Sequence, residues 1–234
     1  MERPHGFEHL TSGTMFDEIL QVLTLKKPKA FLLENVKHLV GHNKGNTFKV
    51  IMNSLGKNGL GYKVDYRVYD ASKFVPQHRE RIFIVGFLDH DSKFDFNNLD
   101  QKINNRYRNK SLKSILDFNP IPSISDGLLT ALENHKTKHS LKGNGFGYSV
   151  VDPEKRGVVT RTLSARYYKD GAEILIKVEG QNPRKLSPEE CKRLMGFPAK
   201  FKFPVSNVQA YKQLGNSVVV PLVSEIAKEL AVNI

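Results

Sequence analysis

Apolar residues recur at helical spacing near the start of the chain. Met15, Phe16, Ile19, Leu20 and Leu23 share one face and predict a helix over 14–26. Thr14 is placed to cap it, Asp17 falls in its first turn, and Lys26-Lys27-Pro28 sets cations and a stop at its end. The run Ala30-Phe31-Leu32-Leu33 is apolar on both faces, the pattern of a short interior strand in a parallel sheet. Phe48, Ile51, Met52 and Leu55 return to helical spacing and predict a helix over 46–57. Tyr62, Val64, Tyr66 and Val68 alternate with polar residues, which is strand periodicity, and 81–88 predicts another strand, nearly all apolar. The first ninety residues read as α/β.

The pattern weakens after Asp89. Residues 89–110 are polar and rich in Asn, Lys and Asp, the composition of a linker or excursion. Short apolar runs, turns and glycines over 111–180 predict an irregular, mostly β module. A well-specified helix follows over 187–198: Ser187 is the N-cap, Pro188 takes N1, Glu190 completes a capping box, and Gly196 ends it before Pro198. A last helix is expected to start near Ser217, with Pro221 tolerable only close to its first turn.

Composition adds a partner to this outline. The 234 residues carry a net charge of +12, with Lys and Arg spread along the chain, so a basic face on a folded body, suited to a polyanion, is favoured over a basic tail. A surface that merely keeps the protein in solution is the competing reading. A single cysteine excludes an intramolecular disulfide. No run approaches the ~18 apolar residues of a membrane span, and no secretory leader is visible, which makes the cytoplasm the expected location. No metal-ligand spacing stands out.

Chemistry concentrates in four blocks. Glu34-Asn35-Val36 closes the apolar run at 30–33. Gln77-His78-Arg79-Glu80-Arg81 leads into the strand at 81–88, with Gln77, Arg79 and Arg81 in one phase of an extended segment. Arg184-Lys185-Leu186-Ser187-Pro188-Glu189-Glu190 runs on to Arg193-Leu194-Met195-Gly196-Phe197-Pro198, and Gly215-Asn216-Ser217-Val218-Val219-Val220-Pro221 lies near the end. In this order the blocks resemble the C-terminal two thirds of a bacterial DNA (cytosine-5) methyltransferase. The stretch Thr160-Arg161-Thr162-Leu163-Ser164-Ala165-Arg166-Tyr167-Tyr168-Lys169-Asp170-Gly171 is similar to the Dcm-like branch, whose members methylate short sites beginning with paired cytosines.

The resemblance implies a fold and a chemistry. The fold is an incomplete Rossmann-like sheet of the S-adenosylmethionine-dependent methyltransferase type over 1–89 and 205–234, with a smaller, mostly β target-recognition domain over 90–204. Carbon 5 of cytosine is too weak a nucleophile to attack a sulfonium methyl. The family adds a cysteine thiolate at carbon 6 while a glutamate, here Glu34, supplies a proton at ring nitrogen 3, on a base flipped out of duplex DNA. Arg79 and Arg81 would hold the flipped cytosine, its phosphates and the catalytic loop, and Gln77 would share their groove; Glu80, out of phase, would be a structural partner. Asn216, Ser217 and Val218, read at a helix N-terminus, would close the S-adenosylmethionine pocket. Arg161, Thr162, Leu163, Arg166 and Tyr167 lie where the family reads its target bases; which of them touches a base is not legible in the spacing.

Two features point away from chemistry. Gly143-x-Gly145-x-Gly147 lacks the flanking strand and helix of a phosphate-binding loop and reads as a turn. Cys191 lies mid-helix and reads as a small packed residue, not a nucleophile. A full-length family member carries Phe-x-Gly-x-Gly and a Pro-Cys nucleophile ahead of its strand-end glutamate. Neither precedes Glu34, and the resemblance resumes around Gly6-Phe7-Glu8. A truncated or frame-shifted gene, a shortened piece, or one subunit of a split enzyme would each give such a chain. Strands 30–34, 62–69 and 81–88 alone would leave a sheet edge uncovered, which invites a complementing polypeptide. A DNA-binding remnant without transfer activity is the alternative reading.

Overall fold

The computed structural model describes residues 14–108, 110–117, 121–145 and 147–234. The Gly6-Phe7-Glu8 block and the side chain of Thr14 lie outside them. The chain divides into two compact units: 1–69 with 80–105 and 225–234, and 70–79 with 106–224.

The first unit is built on three strands. Helix α1 (Thr14–Lys26) precedes strand β1 (Ala30–Val36); helix α2 (Asn46–Leu55) follows, then β2 (Lys63–Asp70, its last residue in the second unit) and β3 (Glu80–Phe87). The sheet order is β1-β3-β2, and β1 runs antiparallel to β3. The parallel interior strand expected at 30–33 is therefore corrected: two apolar faces report what a strand packs against and say nothing of its pairing direction. Among the described residues, β1 pairs with β3 alone, so its other edge has no strand.

Leu23, Phe31, Phe48, Ile51, Leu55, Tyr62, Ile82 and Ile84 form the core of this unit, with Phe31 edge-on to Tyr62 at 5.0 Å. Phe31 faces Gly86 across the β1/β3 ladder, and a Cβ at Gly86 would run into its ring. Residues 89–110 hold more than a linker: α3 (Phe96–Arg106) buries Phe96, Leu99 and Ile103 at helical spacing that its four Asn residues obscured. Arg67 lies over the Phe96 ring and pairs with Asp100 at 3.0 Å.

In the second unit the strands are short. Helix α4 (Asp126–Leu141) leads to β4 (Val150–Val151), β5 (Leu175–Val178) and β6 (Gln181–Arg184), a sheet of order β4-β5-β6 with β4 parallel and β6 antiparallel to β5. Helix α5 (Pro188–Leu194) carries the expected capping box, Ser187 with Glu190, and stops before Gly196 at φ +75°. The same Glu190 carboxylate takes both arms of Arg184, at 2.8 and 2.9 Å, and the Asp117 N–H at 2.8 Å. Helix α6 (Asn207–Asn216) lay hidden in the sequence, because Gly215 reads as a break. It is a close approach instead: Gly215 packs on the Ser164–Ala165 backbone, where a Cβ would not fit. Helix α7 (Val220–Ala231) begins after Ser217, with Pro221 at its second residue.

Candidate functional site

The β1/β3 register brings Glu34 and Arg81 together. Glu34 lies opposite Phe83 and Arg81 opposite Val36, so the two are diagonal neighbours on one face of the antiparallel pair. Arg81 Nε lies 3.0 Å from Glu34 Oε1, with side chains 17% and 30% exposed. Glu34 lies in the exposed C-terminal part of β1, beside a cation. Arg81 also donates to the Glu80 carbonyl at 2.8 Å. Burial draws its guanidinium below the ordinary value while Glu34 pushes it back up, and an arginine remains charged throughout. Glu80 pairs with Lys37 at 2.6 Å, a structural partner.

Gln77 and Arg79 do something else. They are 0% and 2% exposed and spend their polar atoms inside the second unit, so neither presents them to a groove. Arg79 donates to three backbone carbonyls, Leu163 at 3.0 Å, Gly215 at 2.9 Å and Ser217 at 2.7 Å. Gln77 accepts from the Leu163 N–H at 2.8 Å and donates to Met195 Sδ at 3.4 Å. His78 N–H bonds the Thr160 carbonyl, and the Thr162 hydroxyl bonds the His78 carbonyl. The segment 77–79 is therefore a clamp on residues 160–163 and on the 215–217 turn. Extended phase correctly paired Gln77 with Arg79, but it could not tell a buried polar face from an open one.

The same interior claims two of the expected base-reading residues. Leu163 is fully buried. Tyr167, also fully buried, donates its hydroxyl to the Ile174 carbonyl and accepts from the Leu186 N–H, both at 2.7 Å. Burial holds that phenol well above its ordinary pKa. Arg161 and Arg166 are exposed and Thr162 half-buried. Beyond Tyr167 the turn continues with Lys169, Asp170 and Glu173, which line an open cavity of about 380 Å³ together with Ser164 and Arg166. Asp170-Gly171 was the sequence signal for this turn, with Gly171 at φ +66°.

Asn216 and Ser217 do not start a helix. Asn216 ends α6, Ser217 is its C-cap, and the Ser217 hydroxyl donates to the Leu214 carbonyl at 2.8 Å. Asn216 is exposed and Val218 half-buried. Cys191 is 0% exposed, and burial pushes its thiol well above the ordinary value. Among the described residues, no His, Cys, Asp and Glu cluster could hold a metal ion, and no helix is long and apolar enough to cross a membrane.

Known proteins are similar to this chain over nearly its whole length. A family model described as C-5 cytosine-specific DNA methylase matches residues 3–231. The chain is 47% identical to the type II methyltransferase M.NlaX of Neisseria lactamica, over 94% of this chain and 68% of that protein. It is 46% identical to M1.ScrFI of Lactococcus lactis subsp. cremoris, over 96% and 57%, and 42% identical to the DNA-cytosine methyltransferase of Escherichia coli K12, over 97% and 55%. The chain thus spans a little over half to two thirds of these curated relatives. For the fold alone, the S. pombe Dnmt2 methyltransferase superposes with a TM-score of 0.72 at 19% identity, covering 92% of this chain and 71% of that one. The chain belongs to the C-5 cytosine-specific DNA methylase family.

Proposed function

We propose that this chain is the proton-supplying and DNA-reading part of a DNA (cytosine-5-)-methyltransferase. The enzyme moves a methyl group from S-adenosylmethionine to carbon 5 of a flipped cytosine, in a short duplex site containing paired cytosines. The observation that carries the reading is the Glu34–Arg81 pair on one sheet face. A carboxyl group at ring nitrogen 3 draws electron density from carbon 6 and opens it to a thiolate. The guanidinium beside it fixes the carboxyl and offers further donors to the base or its phosphate. Arg79 serves as a positioning residue within the second unit, through the segments it clamps.

The cofactor fits this chain in part. Asn216 is exposed and has both a donor and an acceptor for the amino-acid end of S-adenosylmethionine, while Val218 offers an apolar wall. Ser217 has its hydroxyl and carbonyl engaged already and holds the turn. When bound, the cofactor supplies the methyl group.

The thiol comes from elsewhere. Cys191, the sole cysteine of this sequence, is sealed inside α5, so the thiol would come from a segment carrying Pro-Cys and the Phe-x-Gly-x-Gly turn, on a complementing polypeptide or joined to this one. The unpaired edge of β1 and its part-exposed Leu32 and Leu33 suit such a partner. The sealed cysteine also favours a second reading for the chain by itself, a DNA-binding remnant that transfers nothing.

The test mixes this chain with the N-terminal third of a relative, such as the Neisseria lactamica protein, and measures transfer of labelled methyl to duplex DNA. Transfer by the mixture and by neither part alone is expected. DNA binding without transfer by any such mixture would leave only the remnant. Glu34→Gln in the complemented enzyme should slow transfer about 100-fold or more with DNA affinity unchanged; an equal loss of both would remove Glu34 from the proton-supplying role.

A further inference from the structure

Asparagine precedes glycine at two places in the chain, Asn58-Gly59 and Asn144-Gly145. An asparagine so placed can react with its own backbone, because the nitrogen of the next residue can reach the side-chain amide carbon. Glycine has no Cβ to obstruct the approach and turns freely about its own bonds. Both asparagines are exposed, so access to water does not separate the two pairs. Backbone hydrogen bonding does.

At the first pair the attacking nitrogen is tied down. Gly59 N–H donates to the Gly56 carbonyl at 2.9 Å, and the N–H groups of Leu60 and Gly61 donate to the Ser54 and Gly56 carbonyls at 2.8 and 2.9 Å. The turn is also pressed against the end of α2, where a Cβ at Gly59 would run into the Ser54 carbonyl. Gly59 cannot swing toward the Asn58 side chain without breaking that turn. At the second pair the order is reversed. Lys142, Gly143 and Asn144 close the end of α4, their N–H groups donating to the His139, Ser140 and His139 carbonyls at 3.1, 3.0 and 2.9 Å. The series stops there. Among the described residues the Gly145 N–H has no acceptor, and a Cβ at Gly145 would meet nothing within 4 Å. Asn144 is held while the nitrogen that follows it is free to turn.

We propose that Asn144 is a site of spontaneous deamidation in the folded protein and that Asn58 is protected from it. The Gly145 nitrogen gives up its proton and bonds to Asn144 Cγ. The Cγ–Nδ2 bond breaks, and the amide nitrogen leaves with that proton as ammonia. Water then opens the cyclic imide at either carbonyl, to aspartate or isoaspartate, with nothing oxidised or reduced. The product matters because of where it forms. No acid lies between Glu133 and Asp152, whereas Lys136, Lys138 and Lys142 do, so the new carboxylate lowers a local positive field. The site also gives the Gly143-x-Gly145-x-Gly147 run a chemistry of its own, apart from methyl transfer.

The test incubates the full 234-residue chain in mildly alkaline buffer, native and in urea, and follows the acid form of each pair by peptide mass spectrometry. In urea the two pairs should react at similar rates, because local sequence alone then decides. In the native chain Asn144 should react about tenfold or more faster than Asn58, the size of one or two hydrogen bonds broken at the first turn. Gly145→Ala, for which the backbone has room, should match the natural chain by circular dichroism and keep Asn144 as the amide. Equal native rates, a faster Asn58, or undiminished conversion in Gly145→Ala would each overturn the proposal, and none of them bears on the methyltransferase reading.

Discussion

Three backbone carbonyls, those of Leu163, Gly215 and Ser217, converge on the Arg79 guanidinium. Removing that side chain takes a charged donor from all three, where each charged hydrogen bond contributes about 1.5–3 kcal/mol. Arg79→Ala should therefore lower unfolding stability by about 3 kcal/mol or more, read from the urea midpoint. Arg81→Ala should stay within about 1 kcal/mol, because a half-covered ion pair contributes little, yet should abolish transfer in a complemented enzyme. Two arginines two positions apart look alike in sequence. Their surroundings separate them, and no local pattern records that Leu163, Gly215 and Ser217 arrive from more than eighty positions downstream. Gly86 is a comparable case. Its neighbours predict a plain apolar strand, but Phe31 lies across it, so Gly86→Ala should cost about 1–3 kcal/mol through overpacking, measured by thermal unfolding.

Elements with strong local grammar were legible. The capping box at Ser187 and Glu190, the apolar face of α2 and the alternation along β2 depend on near neighbours alone, and these elements formed as read. Helices α3 and α6 were hidden, the first by Asn and Lys on its exposed side, the second by a glycine whose job is tertiary. The turn at 70–79 adds a pH signature of its own. Burial raises the Asp70 carboxyl, but hydrogen bonds from His78 at 2.7 Å and from the Ser72 and Arg79 N–H groups at 3.1 Å outweigh it, and the net pKa is lowered. A carboxyl depressed on folding stabilises fully above its unfolded value of about 3.9. That stability is lost as pH falls through the lower folded value. Asp70→Asn should therefore flatten the acid limb of the stability profile below about pH 4 and leave its slope near neutrality unchanged, as followed by thermal midpoints across pH.

For the whole molecule, the +12 charge should make duplex binding strongly salt-dependent, with log K falling linearly against log salt. A flat response would exclude a phosphate-tracking surface. The motif blocks were readable over nearly the full length because each has a local reason to exist. Their assignment to surface or interior was not, since burial is decided by segments far apart in the chain. The sealed thiol of Cys191 has one more use. In the native protein it is shielded from alkylating reagents, and it becomes reactive only when α5 comes away from its packing. The rate of single-site thiol labelling, followed by mass, is thus a built-in clock for opening of the second unit, and slower labelling with duplex DNA present would report how firmly the bound strand holds that unit shut.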